Sequence, residues 1–227
     1  MRLCILLKQS EESVPDSRLF LIKLQLEKEF TREFVDWFAG VHAPSLLRAG
    51  FRTVNSFLSH GSDDCVFNIH EILGAEIFDT EDYKREIASD EVFVNRIKKN
   101  IISRSNSVYR QIEVFRDGSA QDPLTSIDST LVSPVVSVSA TNLDDFNYFK
   151  NYLRLGGFSL PGMYRVRFCQ LEGQHPSGKS IEPEYAVIIE WSNQHAASQF
   201  FSNFESEIET VMGRILVRSM SNNFFTS

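Results

Sequence analysis

The order of apolar patterns along the chain constrains its fold more than any other feature. Residues 19–27 alternate between apolar and polar side chains, which is typical of a strand with one buried face. A helical pattern, two strand-like runs, a second helical region and a fourth strand follow, up to residue 116. The same order of elements begins again at residue 134. The 227 residues therefore predict two halves of similar architecture.

We divide the chain accordingly. Residues 1–17 form an N-terminal extension or an edge strand, 18–116 the first half, 117–133 a polar linker and 134–227 the second half. Each half has the element order of a ferredoxin-like unit, βαββαβ, in which a four-stranded antiparallel sheet carries both helices on one face. The sequence thus predicts the α+β class, with two ferredoxin-like sheets packed face to face as an α/β barrel. We expect a partly polar cavity between the sheets.

Composition and charge restrict the classes of function. The chain has 19 Phe residues, which require a large core, an interface or a pocket. A formal net charge of −7 disfavours nucleic acid and anionic lipid as partners. The three cysteines are far apart and odd in number, which is typical of reduced thiols in a cytoplasmic protein. We expect a cytoplasmic protein without a membrane or nucleic-acid partner; a homodimer is left open.

Motifs for cofactors are missing from the sequence. There is no GxGxxG or GKS/GKT segment for a nucleotide, no HExxH or cysteine pair for a metal, and no GxSxG elbow of a hydrolase. We therefore expect neither a cofactor nor a metal, and a small organic molecule as the partner.

One helical segment resembles a known family. Phe34, Trp37, His42, Ala43 and Pro44 form the pattern Phe-x-x-Trp-x-x-x-x-His-Ala-Pro after an alternating strand. With the segment REIASDEVF in the second helical region, this pattern resembles the EthD-like members of the dimeric α/β-barrel superfamily. The strand end YAVIIEWSN is similar to the antibiotic-biosynthesis-monooxygenase-like branch. Usual members hold one repeat and dimerise, whereas this chain carries both repeats.

The resemblance implies a pocket for a small organic molecule more strongly than it implies one reaction. The superfamily includes cofactor-free oxygenases, decarboxylases, cyclases and dehydratases, together with proteins of no known activity. The reaction must therefore be argued from the residues of the site.

His42 is the first candidate catalytic residue. Pro44 lacks a backbone N–H and disfavours helix at Ala43, so we expect the helix to bend or restart just past His42. Such a break would project the imidazole over the open end of the sheet. A histidine that only caps the helix is the alternative.

His70 is the second candidate catalytic residue. We place Phe67 and its neighbours of the same parity against the helices, so that Asn68 and His70 face the cavity. An imidazole titrates near neutral pH and can transfer protons there. Two alternatives remain open: His70 has only a structural role, or the strand faces the other way and Glu71 and Glu190 form an internal pair.

Seven residues are candidates for substrate binding, because we expect them on the cavity wall. Arg165 and Arg167 are two residues apart on one strand; facing inward they would bind a carboxylate or enolate, and facing outward they form a solvated stripe. Tyr109 would donate to a substrate oxygen. The full set is Lys23, Trp37, Asn55, Asn68, Tyr109, Arg165 and Arg167. His60, His175 and His195 fall in loops or at a helix start and receive little weight.

These observations predict a cofactor-independent enzyme that acts on a polyketide-like, phenolic or aromatic substrate. His70 and His42 would transfer protons, and the reaction would be that of a cyclase, dehydratase or decarboxylase. A cofactor-free monooxygenase is the first alternative. The second is a non-catalytic module for small-molecule binding or interaction.

Overall fold

The computed structural model describes residues 17–116, 135–155, 162–175, 183–203 and 210–220. The expected linker and all but one residue of the expected N-terminal extension lie outside these ranges. In the first half the elements are β1 (Arg18–Leu26), α1 (Thr31–Trp37), a π-helical turn (Phe38–His42), α2 (Ala43–Arg48), β2 (Thr53–Ser59), β3 (Cys65–Ile72), α3 (Glu81–Ala88), α4 (Glu91–Asn95) and β4 (Ile101–Arg116). Short 3₁₀ turns cover Lys28–Phe30, Ala75–Asp79 and Ile97–Asn100.

The second half begins with a strand at the place where the sequence predicts one. Its elements are β5 (Val135–Thr141), α5 (Leu143–Leu155), β6 (Met163–Gln174), β7 (Tyr185–Trp191), α6 (Gln194–Asn203) and β8 (Thr210–Met220).

Local side-chain chemistry defines several helix ends. The Oδ1 atom of Asn142 accepts the Asp145 N–H at 3.0 Å and begins α5, and Asn193 does the same for Ala196 before α6. Gly50 follows α2 with a φ of 101°, a conformation that glycine adopts without steric cost. The two asparagines begin helices, and Gly50 ends α2 shortly before β2 starts.

The eight strands form one closed antiparallel barrel. Their order is β1-β3-β2-β8-β5-β7-β6-β4. Each half contributes four neighbouring strands in the same internal order, β4-β1-β3-β2 and β8-β5-β7-β6. The halves join through hydrogen bonds between β2 and β8 and between β4 and β6. The predicted α+β barrel is confirmed, and it closes through the edges of the two sheets.

The inside of the barrel is a packed core. Leu19, Phe57, Phe67, Ile69 and Ile188 are buried there, and the rings of Phe57 and Phe67 stack with centroids 5.2 Å apart. The cavity found among these strands measures about 10 Å³, which is room for about one water molecule. The expected chamber between the sheets is therefore wrong for the described part of the barrel.

One end of the barrel interior is charged and internally paired. Arg165 donates to both carboxylate oxygens of Glu190, at 2.8 and 2.9 Å, and Arg167 donates to the same carboxylate at 3.2 Å. Burial lowers the pKa of Arg167, and the neighbouring Arg165 adds to this effect. All three side chains are buried and engaged with one another, so the arginines are paired within the barrel.

Helices cover the outer face of each sheet. The side chains between sheet and helices form a second core in each half. In the first half, Phe20, Phe34, Phe38 and Phe51 belong to this sheet–helix core, and His70 packs among them. In the second half, aromatic side chains fill the corresponding layer, for example Phe149 and Trp191. Among the described residues, no helix has the length and apolar character needed to cross a membrane.

The orientation of β3 is opposite to the one expected from the sequence. Phe67 and Ile69 point into the barrel, whereas Val66 and Ile72 pack under the helices. Both faces of β3 are buried and both mix polar with apolar residues, so alternation does not distinguish them. The reversed facing, left open above, is the one found.

Candidate functional site

A cavity lies between the sheet of the first half and the helices that cover it. Its volume is about 260 Å³. Most of the wall is aromatic or aliphatic and includes Phe20, Ile22, Trp37 and Phe93. The polar side chains that line it are His42, Asn68, Tyr83, Lys98, Arg104, Asn106 and His175. A mostly apolar cavity with a few polar groups is the usual form of a small-molecule site.

The helix break at Pro44 places His42 on this cavity. The Ala43 N–H donates to the carbonyl of Phe38, five residues back, so the turn before Pro44 is π-helical. A proline ring would clash with the carbonyl of Gly40, four residues back, in a regular α-helix, and the wider turn avoids this clash. The predicted break just past His42 is confirmed. His42 is the last residue of the widened turn.

Two aromatic rings pack on the His42 imidazole, and the Asp90 carboxylate lies near it. Nδ1 of His42 lies 3.6 Å from Oδ2 of Asp90. The indole of Trp37 stacks on the imidazole with ring centroids 4.5 Å apart, and Phe93 lies nearly parallel at 6.0 Å. Because Nδ1 faces the carboxylate, Nε2 is the nitrogen available to a molecule in the cavity.

The Asp90 carboxylate is itself fixed. It accepts the backbone N–H of Phe93 at 2.8 Å, which begins α4, and the Trp37 indole N–H. Burial favours the neutral acid, but the interactions with His42, Phe93 and Trp37 outweigh it and hold the pKa of Asp90 below its ordinary value. Asp90 is therefore an ionised partner for His42. Asp90 was not among the candidate residues, although the segment REIASDEVF contains it.

His70 lies behind the cavity, under the helices. Its ring is fully buried among Phe20, Phe38 and Phe51, and neither ring nitrogen has a hydrogen-bond partner among the described residues. Burial lowers the pKa of His70 to about 3, with a smaller contribution from His42 and an opposing one from the Ile69 backbone. Its expected position in a chamber between the sheets is wrong, and at this pKa its imidazole is a weak base.

The expected substrate-binding residues divide between the cavity and the barrel. Asn68 and Trp37 line the cavity. Lys23, Asn55, Tyr109, Arg165 and Arg167 do not, because they lie on the barrel side of their strands. Asn55 Nδ2 donates to the Ile69 carbonyl at 3.4 Å, and the Tyr109 hydroxyl donates to the Pro183 carbonyl at 2.9 Å. The two arginines pair with Glu190, and Lys23 is exposed.

Two asparagines form a polar floor that the strand pattern alone does not reveal. Asn68 on β3 and Asn106 on β4 both lie opposite Ile22 of β1, so the three residues form a row across the sheet. Neighbouring strands are about 4.8 Å apart, which separates the two asparagine backbones by about 10 Å. Both side chains are buried and line the cavity, and the Asn68 Oδ1 atom has no partner among the described residues.

The second half of the chain completes the cavity. His175 follows β6 and reaches the first half, where its ring stacks on Phe20 at 5.7 Å and its Nε2 lies 3.1 Å from the Tyr83 hydroxyl. Burial and then Arg104 lower the pKa of His175 to about 4. Burial raises the pKa of Tyr83 to about 12, against a smaller effect of Arg104. His175 received little weight because it was expected in a loop, and its contact with Tyr83 spans 92 positions of the sequence.

The fold and site define a class of protein: an α+β barrel with a mostly apolar, aromatic-lined cavity between sheet and helices. No family model and no curated protein matches the sequence. Solved structures do match. An anthrone oxidase-like protein aligns with a TM-score of 0.59 and 10% identity, over 92% of this chain and 94% of its own.

Two further solved structures are similar over nearly their whole length. A putative monooxygenase from Lactobacillus acidophilus NCFM aligns with a TM-score of 0.54 and 13% identity, over 90% of this chain and 96% of its own. A putative monooxygenase from Fusobacterium nucleatum aligns with a TM-score of 0.52 and 7% identity, over 90% and 94%. At these identities the likeness shows a shared fold.

Proposed function

We propose that this chain is an enzyme that removes a proton from a phenolic or similarly activated aromatic molecule and passes the resulting anion to molecular oxygen. The observation that carries the proposal is His42, held against the buried Asp90 carboxylate at the wall of an aromatic cavity. The same proposal includes the EthD-like assignment and the description of the halves as tandem ferredoxin-like repeats, which the repeated strand order supports.

The geometry suits His42 as the general base. A carboxylate at Nδ1 keeps the proton on that nitrogen, leaves the Nε2 lone pair for the substrate and stabilises the imidazolium that forms. The negative charge that develops on the substrate oxygen needs hydrogen-bond donors nearby. The carboxamide of Asn68, buried on the cavity floor, can donate from Nδ2.

The shape of the cavity favours a flat aromatic substrate. Its volume of about 260 Å³ is slightly below the range of about 300–1,000 Å³ that is usual for ligand pockets. Trp37 and Phe93 lie nearly parallel with centroids 5.6 Å apart, and Phe20 forms part of the wall. These rings make an apolar wall that can pack on a substrate ring.

The oxygen step requires only the substrate and O₂. For an anthrone, loss of a proton from the ring methylene gives an enolate that reduces O₂ and bonds to one of its oxygen atoms. Cleavage of the O–O bond and loss of the second methylene proton then give the quinone and one molecule of water. The aromatic anion supplies the electrons. The description of one structural neighbour as anthrone oxidase-like supports this choice of test substrate.

The non-oxidative reactions share the first step of this scheme. An enolate formed by His42 that does not meet oxygen can lose water or CO₂, or close a ring, as in a dehydratase, decarboxylase or cyclase. Oxygen consumption separates these reactions from oxygenation. A protein that binds an aromatic ligand without turnover would be the binding module considered above.

The test is turnover of a dihydroxyanthrone, followed both by quinone absorbance and by an oxygen electrode. We expect one O₂ per quinone above the spontaneous rate. His42→Gln should lower the rate about 10²- to 10⁴-fold, the usual contribution of a general base. His195→Gln, at an exposed histidine on α6, is the matched control and should keep the wild-type rate. Equal rates for wild type and His42→Gln would refute the role of His42.

A further inference from the structure

We infer that the substrate carries a hydroxyl group beside the oxygen that becomes negative, and that Oδ1 of Asn68 accepts the proton of this hydroxyl. The inference rests on the proposed function, in which Nδ2 of the same carboxamide donates to the developing anion. It adds a second contact, at Oδ1, and the chemical class of the substrate: an aromatic molecule with two neighbouring oxygen atoms, one of which keeps its proton.

The first support is an acceptor without a donor in the wall of the cavity. Asn68 lines the cavity and is only 2% exposed, and its Oδ1 atom has no hydrogen-bond partner among the described residues. A buried carbonyl oxygen without a donor costs free energy, and most buried polar atoms in proteins are bonded to protein or to ordered water. Oδ1 of Asn68 therefore requires a donor from another source.

The second support is that the neighbouring side chains on the sheet do not supply this donor. Antiparallel pairing places Ser56 of β2 opposite Asn68 on one side and Ile22 of β1 on the other. Ile22 is apolar, and the Ser56 hydroxyl itself has no partner in the described part of the chain. Along β3, the apolar Val66 and His70 flank Asn68 on the same face, and neither ring nitrogen of His70 bonds to it. The cavity is the remaining source of a donor.

The chemistry of the carboxamide defines the group that matches it. One edge of the Asn68 side chain presents an acceptor, Oδ1, next to a donor, Nδ2. The enolate or phenolate oxygen of the substrate binds at the donor, and a hydroxyl on a neighbouring ring position binds at the acceptor. A water molecule has the same O–H donor, so a structure with a bound ligand must show which of the two oxygens lies at Oδ1.

Two flat probes with the same pair of ring oxygens test the inference by binding to the full chain. The probe 2,3-dihydroxynaphthalene has hydroxyl donors, and 2,3-methylenedioxynaphthalene has none. We expect calorimetry to show that the wild type prefers the dihydroxy probe, and Asn68→Leu should reduce this preference about 2- to 10-fold, the range of one hydrogen bond. Asn68→Asp retains an acceptor oxygen and should retain the preference. Asn147→Leu, at an exposed residue of α5 outside the cavity, is the control and should leave the preference unchanged.

Three binding results overturn the inference: an unchanged preference in Asn68→Leu, a lost preference in Asn68→Asp, or no saturable binding of the dihydroxy probe. A crystal structure of the wild type with this probe is a second measurement that needs no variant. We expect one probe hydroxyl about 3 Å from Oδ1 of Asn68. A water molecule that stays at Oδ1 while the probe is bound contradicts the inference.

The inference and the proposed function fail in different experiments. His42→Gln should lower turnover and keep the part of the preference that depends on Asn68, because His42 acts on the reacting proton and not on the retained hydroxyl. Wild-type turnover in His42→Gln refutes the proposed function, whereas an unchanged preference in Asn68→Leu refutes the inference. Asn68→Asp should lose turnover and keep the preference, since an ionised carboxylate accepts hydrogen bonds but donates none.

Discussion

The indole N–H of Trp37 donates to both carboxylate oxygens of Asp90, at 3.2 and 3.1 Å. The same indole stacks on His42, so one tryptophan fixes both the carboxylate and the imidazole beside it. Trp37, His42 and the segment that contains Asp90 are all part of the pattern on which the family resemblance rests. The structure gives that pattern a physical meaning, because its residues lie together at the wall of one cavity.

Asp90→Asn should impair catalysis far more than folding. The amide keeps an oxygen for the Phe93 N–H but loses the charge that stabilises an imidazolium at His42. We expect the turnover rate to fall about 10²- to 10⁴-fold. The free energy of unfolding should fall by about 1 kcal/mol, the usual scale for a helix cap. Asp82→Asn, at an exposed residue of α3, is the control, and a rate loss of the same size there would contradict the assignment.

Pro44→Ala tests the π-helical turn. Alanine restores a backbone N–H and removes the ring that would clash with the Gly40 carbonyl in a regular α-helix. The segment Phe38–His42 can then adopt α-helical geometry. His42 would then rotate away from Asp90. We expect a loss of turnover of about 10²-fold, as for a displacement of about 1 Å at a catalytic group. The melting temperature should change little.

The control for this variant is Pro183→Ala. Pro183 lies outside the cavity, and its only described hydrogen bond is made by the backbone carbonyl, which alanine retains. If Pro44→Ala turns over substrate at the wild-type rate, the widened turn has no part in positioning the base.

His70 should make the fold sensitive to acid. Its pKa is about 3 in the folded protein and 6.5 in a free side chain, so between these values the unfolded chain binds a proton that the folded chain does not. Acidification below about pH 6.5 therefore favours unfolding, by up to about 1.4 kcal/mol per pH unit. From pH 7 to pH 5, this residue should cost about 2 kcal/mol of stability.

His70→Leu removes this dependence. Urea unfolding at pH 7 and pH 5 should show a smaller difference for the variant, by about 2 kcal/mol. The variant should be no less stable at pH 7, because leucine leaves no buried nitrogen without a partner. His195→Leu provides the control at an exposed position. An acid dependence equal to that of the wild type would show that His70 is not held neutral.

Glu190→Gln should destabilise the barrel without changing the site. It leaves the buried guanidinium groups of Arg165 and Arg167 without their carboxylate, at a cost of about 3–5 kcal/mol. Because these side chains face the barrel interior, turnover per folded molecule should stay unchanged. Glu172→Gln breaks the exposed pair with Arg18 and should cost less than about 1 kcal/mol. Equal losses for both variants would contradict the structural role of the buried cluster.

The architecture could be predicted because it depends on local patterns. Alternating apolar residues, helix-capping asparagines and the break at Pro44 each act over a few positions, and the element order repeats in both halves. The facing of β3 could not be predicted, since Val66 and Phe67 are both buried, one under the helices and one in the barrel. A strand buried on both sides carries no alternation that separates these two cores.

The candidate site could be predicted only in part, for the same physical reason. His42, Trp37 and Asn68 line the cavity between sheet and helices, and the first two lie in one short motif, but Asn68 was expected in a chamber between the sheets. Arg104 and Asn106 were not among the candidates, and both lie in the first part of β4, which begins at Ile101. His175 comes from the other half of the chain. Long-range pairing between β4 and β6 brings it to the cavity, and no local pattern indicates such a contact.

The location of a bound quinone tests the central claim most directly. We expect a crystal structure with an anthraquinone to show its rings in the cavity between Phe20 and Trp37, with one quinone oxygen about 3 Å from Nε2 of His42. A ligand bound inside the barrel, against Trp191 in the second half, or with both oxygens directed away from His42 would contradict the account.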